Sequence, residues 1–347
     1  MSDNNSQTYK LNKIIAFDYI RVFAAYTVIV LHAVAGPFIG YFNSEEWNIA
    51  NFYESIVRWN VPIFIMISGA LFLNKNKKLS ITRLYTKNIL RIIIVLLGWS
   101  IIYAIPTILK GHNLNYIFGA IIGGPYQFWF LRVLVGLYIA IPIYKIIATN
   151  RKIELYFLII AFIIGILVPS CFSIIKLINP SVYENLSNIY KSLELNIATT
   201  YSFYFVLGHY LITYPIKYRK LFYLLGSISF ISVFLLTHIT SHKIGRPVEI
   251  FYSNSCLFTM LEAAAIYIFF INCKLKNNII VDNLSKCSFS IYIIHIFVMI
   301  GFSKLGIQSF SFYPLLSVPI YSILVFTVSF IIATILQKIP IVNKWLM

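Results

Sequence analysis

The feature that most constrains the fold is a series of ten apolar stretches, each long enough to cross a lipid bilayer. A transmembrane helix needs ~20 predominantly apolar residues. The stretches lie near residues 14–39, 55–73, 89–109, 126–147, 154–172, 197–214, 221–238, 253–272, 287–303 and 314–337. We therefore predict an all-α, polytopic membrane bundle of about ten transmembrane helices.

Composition supports the same fold class. With 59% hydrophobic and 11% charged residues, a chain of 347 residues has too little polar surface for a soluble globule. No connection between the apolar stretches is long enough to form a soluble domain. We predict one transmembrane unit over residues 14–338, with a short polar N-terminus (1–13) and a short C-terminus (339–347), both cytoplasmic.

The distribution of basic residues predicts the orientation. An even number of spans places both termini on one side, and Lys and Arg accumulate in cytoplasmic loops. Most of the 28 basic residues fall in alternate connections, at Lys10–Lys13, Lys75–Lys87, Lys145–Lys152, Lys217–Lys220, Lys274–Lys286 and Lys338–Lys344. The first connection on the opposite side instead holds Glu45, Glu46 and Glu54.

This topology accounts for the net charge of +17. The charge indicates a multi-pass protein of the cell membrane in contact with anionic lipid, and excludes a soluble basic domain that binds nucleic acid. Nothing in the sequence decides between a monomer and a homo-oligomer.

The first apolar stretch carries three ionisable residues, Asp18, Arg21 and His32. Such groups are expensive inside a bilayer, so each is a functional hypothesis by default. The step of eleven residues from Arg21 to His32 makes almost three helical turns, and the step of fourteen residues from Asp18 makes almost four. The three side chains therefore lie on one stripe of the helix. Imidazole can accept and return a proton near neutral pH, so His32 is a candidate base or acyl carrier. The alternative is a snorkelling Asp18–Arg21 pair with a histidine that only hydrogen-bonds another helix.

The third stretch begins with Arg83, Lys87 and Arg91, spaced four residues apart on one helical face. Guanidinium and ammonium groups in a cluster suit phosphates, so this face is a candidate site for a phosphorylated cytoplasmic cofactor. The positive-inside rule alone is the alternative. The four cysteines form no CxxC pair and no metal spacing with histidines, so we predict no metal site.

Four further residues are weaker candidates for an acceptor site. Trp129 and Arg132 lie in the fourth stretch, Glu262 in the eighth and His295 in the ninth. Structural hydrogen bonding is the alternative for Glu262 and His295.

Four segments, in order, resemble the membrane proteins of acyltransferase family 3. They are Phe17–Arg21 followed by His32, the Ser-Gly segment Val61–Gly69, the Trp-Phe-Leu to Gly-Leu-Tyr segment Phe128–Pro142, and the Tyr-to-His run Ser290–His295. The resemblance spans about residues 14–337.

The resemblance implies transfer of an acyl group, usually acetyl and sometimes succinyl, from cytoplasmic acyl-coenzyme A to a sugar or lipid-linked glycan. It also implies that His32 is the central catalytic residue, supported by Arg21, and that the basic start of the third helix binds coenzyme A. Family members commonly have two arginines three residues apart there. This chain has Asn88 three residues before Arg91, so the expected phosphate contact shifts to Lys87.

The main alternative from another class is a transporter, either a flippase for a lipid-linked sugar or a proton-coupled carrier. It would use Asp18, Arg21 and Glu262 as a relay. A transporter would not consume acetyl-coenzyme A.

Overall fold

We describe the protein from a computed structural model, which describes residues 2–111, 113–193 and 199–346, with side chains from Ile15 onward. The side chains of the predicted N-terminal segment 1–13, with Lys10 and Lys13, lie outside this part of the chain. The structure is 82% helical and has no strand among the described residues, so the all-α prediction is confirmed.

Fifteen helices follow one another along the described chain. They are α1 Ser2–Gly40, α2 Glu45–Val57, α3 Asn60–Phe72, α4 Ile81–Leu109, α5 Leu114–Gly123, α6 Tyr126–Ile139, α7 Ile141–Ile147, α8 Arg151–Ile178, α9 Pro180–Ser192, α10 Thr200–Thr213, α11 Arg219–Ile244, α12 Leu257–Asn272, α13 Ile279–Lys304, α14 Pro314–Gln337 and α15 Pro340–Trp345.

Eight helical segments in the described chain are long and apolar enough to cross a membrane, and the bent pair α5–α6 would make a ninth. The prediction of a polytopic bundle of about ten helices is confirmed, although two of the ten predicted stretches are interrupted or short. The predicted span 126–147 divides at Ala140, because Pro142 cannot donate the backbone hydrogen bond that would continue α6 into α7. The predicted span 197–214 contains only the 14-residue helix α10.

Helix α10 is short but central, since it packs backbone to backbone against α3. A Cβ atom placed on Gly208 would overlap the carbonyl oxygen of Met66, and one placed on Gly69 would overlap that of Phe205. Small residues permit this close approach of helices in membranes. A buried hydrogen bond also ties α10 to α8, because His209 Nδ1 lies 2.7 Å from Glu154 Oε1.

One end of the bundle, which we call the basic end, gathers the connections 73–80, 148–150 and 273–278. Lys145 Nζ donates hydrogen bonds to the carbonyls of Asn74 at 3.0 Å and Lys77 at 2.6 Å. Tyr19 of α1 donates to the carbonyl of Lys276 at 3.1 Å. The connections rich in Lys therefore meet in space, as the predicted topology requires, and the cytoplasmic location of this end stays a prediction.

At the opposite end, α1 lacks one backbone hydrogen bond. Pro37 has no N–H, which leaves the carbonyl of Ala33 without its helical partner. Ser309, in the connection between α13 and α14, supplies the missing donor at 2.6 Å. The contact fixes that connection against α1 one residue from His32.

Candidate functional site

The polar stripe of α1 begins with an ion pair at the basic end. Arg21 Nη1 lies 3.2 Å from Asp18 Oδ1, and Ser285 of α13 donates to the same carboxylate oxygen at 2.7 Å. Asp18 thereby holds Arg21 in place and links α1 to α13. Arg21 in turn lines a large cavity.

That cavity, which we call the basic pocket, has a volume of about 720 Å³. Five cationic side chains line it, and none of the described lining residues is acidic: Arg21, Arg83, Lys87, Arg91 and Lys286. Asn88, Tyr138, Gln337 and Asn343 add hydrogen-bonding groups. The structure thus brings together the three residues predicted to bind a phosphorylated cofactor. A concave site of this charge suits a polyanion.

The backbone of α4 departs from α-helical geometry at this pocket. Residues Leu84–Ile89 form a π-turn, which carries Lys87 and lies between Arg83 and Arg91. Such turns inside α-helices are frequent at functional sites. The sequence pattern placed the three basic residues on one face, but it did not predict the π-turn.

A second cavity, the aromatic pocket, lies on the other side of a thin wall and has a volume of about 330 Å³. His32, Arg58, Asn60, Gln127, Trp129, Tyr201, Tyr252 and Asn254 contribute to its lining. Four residues line both cavities: Val28, Val61, Phe130 and Tyr292. The basic and aromatic pockets therefore meet inside the bundle, and one face of α1 runs from Arg21 in the first to His32 in the second.

His295 lies beside His32, although 262 positions of sequence separate them. Their ring centroids are 5.1 Å apart. His295 is fully buried, and its Nδ1 is 2.6 Å from the carbonyl oxygen of Tyr292. Because a carbonyl only accepts, Nδ1 must carry the proton, which leaves Nε2 as an acceptor. Nε2 is buried and has no hydrogen-bond partner among the described residues.

A charged network that sequence reasoning missed supports the aromatic pocket. Arg58, at the joint between α2 and α3, forms an ion pair with Glu54 and stacks 4.2 Å from the ring centroid of Tyr252. Tyr252 donates to Asn51 of α2. Glu54 is 0% exposed. The prediction that Glu54 lies in an outer loop is therefore wrong. Helix α2 begins at Glu45, so Glu54 lies within the helix and is buried against Arg58.

The signal for Arg58 was present in the sequence. It is the one charged residue within the predicted span 55–73, with Glu54 four residues earlier. The rule that made Asp18, Arg21 and His32 candidates applies equally to Arg58.

The remaining predicted acceptor-site residues are dispersed. Trp129 lines the aromatic pocket and packs against Tyr201, with ring centroids 5.9 Å apart. Glu262 is buried, and its two carboxyl oxygens have no hydrogen-bond partner in the described chain. Arg132 is exposed and donates to the carbonyl of Gly123 at 2.5 Å, where it caps α5 apart from the pockets.

The sequence matches a known protein family over most of its length. The model described as an acyltransferase domain, that of acyltransferase family 3, matches residues 14–334. The chain belongs to acyltransferase family 3. Neither a curated protein nor a solved structure matches the chain with significance.

As a family 3 protein, the chain is a membrane acyltransferase. The match begins within α1 and ends within α14, and it includes every residue named as lining either pocket except Gln337 and Asn343. Acyl transfer requires that a donor and an acceptor meet at one reacting group. The two adjacent cavities, which share four lining residues, are a part of the described structure that could provide such a meeting point.

Proposed function

We propose that this acyltransferase moves an acyl group, in the simplest case acetyl, from cytoplasmic acyl-coenzyme A to a hydroxyl of a cell-surface or lipid-linked polysaccharide. The observation that carries the proposal is the junction of the two pockets. A polycationic cavity opens toward the predicted cytoplasmic end, and a sugar-sized cavity holds His32 on the other side of the shared wall.

The basic pocket supports a coenzyme A donor. The phosphates of coenzyme A carry several negative charges. The pocket offers them positive charges and hydrogen-bond donors from Arg83, Lys87, Arg91 and Lys286. With the phosphates held there, the extended thioester arm reaches toward Val28 and Tyr292, which line both pockets.

The aromatic pocket supports a sugar acceptor. Flat faces of Trp129, Tyr201 and Tyr252 suit the apolar faces of a sugar ring, and Asn60 and Asn254 offer amide groups to its hydroxyls. Arg58, held by Glu54, adds a fixed positive charge. Such a mixture of apolar walls and a few fixed polar groups is typical of small-molecule sites.

His32 supplies the proton transfer. In direct transfer, its imidazole takes the proton from the acceptor hydroxyl while the oxygen attacks the thioester carbonyl. The C–S bond then breaks, and the imidazolium returns the proton to the departing thiolate. In the stepwise alternative, His32 first takes the acyl group itself, releases the thiol and passes the acyl group to the hydroxyl. Both routes use the same junction.

The test follows labelled acyl groups from acyl-coenzyme A in membranes that contain the intact chain, His32→Ala or His242→Ala. His242 is an exposed histidine that lines neither the basic pocket nor the aromatic pocket, so its variant is a matched control. We expect label in a glycan with the intact chain and the control, and none with His32→Ala. Labelling that persists without His32 would overturn the proposal. Absence of donor consumption by the intact chain would favour the transporter or flippase alternative.

A further inference from the structure

A third cavity, which we call the glycine groove, touches His32 from another direction. It has a volume of about 570 Å³ and lies between α1, α13 and the connection 305–313. Its walls are mainly apolar or small, formed by residues such as Gly36, Gly40, Ile296, Met299, Ile300 and Tyr321. No charged residue lines the described groove.

The groove exists because α1 lacks side chains along it. Gly36 and Gly40 are four residues apart on one helical face, and a Cβ atom at either position would meet nothing within 4 Å. Pro37 lies between them, and Ser309 holds the groove floor through the carbonyl of Ala33. The space is therefore fixed by the fold.

The rim of the groove is apolar and open. Ile300 and Ile307, which line the groove, are 46% and 41% exposed, and Ile300 lies on α13, a helix long and apolar enough to cross a membrane. In a membrane, hydrocarbon surrounds these side chains. A lipid chain can enter from the bilayer without crossing a polar barrier.

His32 connects the groove to the reaction site. It is the one described residue that lines both the glycine groove and the aromatic pocket. The imidazole of His32 therefore lies where a molecule with an apolar tail in the groove and a polar head in the aromatic pocket would join the two parts.

We propose that the glycine groove binds the hydrocarbon tail of an amphiphilic acceptor, a lipid-linked sugar whose head group occupies the aromatic pocket. This inference rests on the proposed function, and it selects a membrane-embedded acceptor over a water-soluble or polymeric one. The tail anchors the acceptor, and the first sugar next to the lipid lies at His32.

The experiment uses the full-length protein in lipid nanodiscs and a long-chain alkyl glucoside with a photoreactive group in its chain. We expect crosslinks on peptides that contain Met299 and Ile300. The double variant Gly36→Leu/Gly40→Leu fills the groove. Two leucine side chains would exclude the alkyl chain from this space, so we expect labelling to fall by roughly tenfold.

The matched control is Gly301→Leu, which adds the same side chain on α13 at a position with open space and outside the groove lining. It should leave labelling unchanged. Methyl glucoside, which has the head group without the tail, should not compete with the probe.

Labelling spread evenly over the lipid-facing helices, or undiminished in the double leucine variant, would overturn the inference, as would equal competition by methyl glucoside. Crosslinking requires no acyl donor, so its outcome is independent of the proposed reaction. If the intact chain crosslinks as expected but never consumes acyl-coenzyme A, the proposed function fails and the lipid site stands.

Discussion

At the residue scale, the tautomer of His295 offers a sharp test of how His32 is oriented. The Tyr292 carbonyl holds the Nδ1 proton, and the unpartnered Nε2 is an acceptor beside the His32 ring. We infer that His295 is a positioning residue. When substrate is bound, its Nε2 accepts a hydrogen bond from one N–H of His32, which leaves the other ring nitrogen of His32 free to act as the base.

Two near-isosteric variants separate this role from a packing role. His295→Gln retains an acceptor near the Nε2 position, whereas His295→Asn retains only a donor near Nδ1. We expect His295→Asn to lower kcat by about 10²-fold with the donor KM unchanged, as for misplaced catalytic groups, and His295→Gln to retain most activity. Equal loss in both folded variants would contradict the positioning role.

Variants of the Glu54–Arg58 pair distinguish its role in protein stability from its role in substrate recognition. Removal of one partner from a buried pair costs about 3 kcal/mol, because the remaining charge is unpaired. Glu54→Ala should therefore lower the thermal unfolding temperature in detergent. The double variant Glu54→Leu/Arg58→Met should recover stability but not acyl transfer, since Arg58 also lines the aromatic pocket. Recovery of both would show that the pair is structural only.

Which site residues the sequence could reveal depends on helical geometry. Periodicity within one helix placed Arg21 and His32 on one face, and it placed Arg83, Lys87 and Arg91 on another. Contacts between helices have no such signature, so the His32–His295 proximity was not predictable. Arg58 was detectable but missed, because its predicted span was treated as uniformly apolar.

At the element scale, the α3–α10 contact depends on glycine. Gly208→Ala would place a methyl group against the Met66 backbone, which cannot move as a side chain could. Overpacking of this kind costs about 2 kcal/mol. We expect Gly208→Ala to lower the unfolding temperature. Gly119→Ala should not lower the unfolding temperature, because its added methyl group meets open space. Similar unfolding temperatures for both variants would contradict the tight packing.

Hydropathy predicted the long helices well and the interrupted ones poorly. Eight of the ten predicted stretches correspond to helices that can span a membrane. Average hydropathy measures apolar length and is insensitive to breaks, so it joined α6 and α7 across Ala140 and extended α10 beyond its 14 residues. Pro142 was the available local signal for the first break.

At the scale of the whole molecule, the proposed reaction depends on the wall that the basic and aromatic pockets share, where the acyl group would pass from one pocket to the other. Val61 lies in the shared wall, so Val61→Phe should narrow the passage and reduce acyl transfer while leaving coenzyme A bound in the basic pocket. Val135→Phe on α6 is the control, because Val135 lines neither pocket. Equilibrium binding of coenzyme A and turnover, measured on the same preparations, check this. Unchanged turnover in Val61→Phe would mean that the acyl group takes another route.

The most direct test of the central claim is the sidedness of transfer in sealed inside-out vesicles. Labelled acyl-coenzyme A is supplied only at the cytoplasmic face, and an impermeant esterase is added before or after the vesicles are opened. We predict labelled glycan that resists the esterase until the vesicles are opened, and that is absent with His32→Ala. Product that is cleaved in sealed vesicles, or that forms equally without His32, would contradict transfer through the joined pockets.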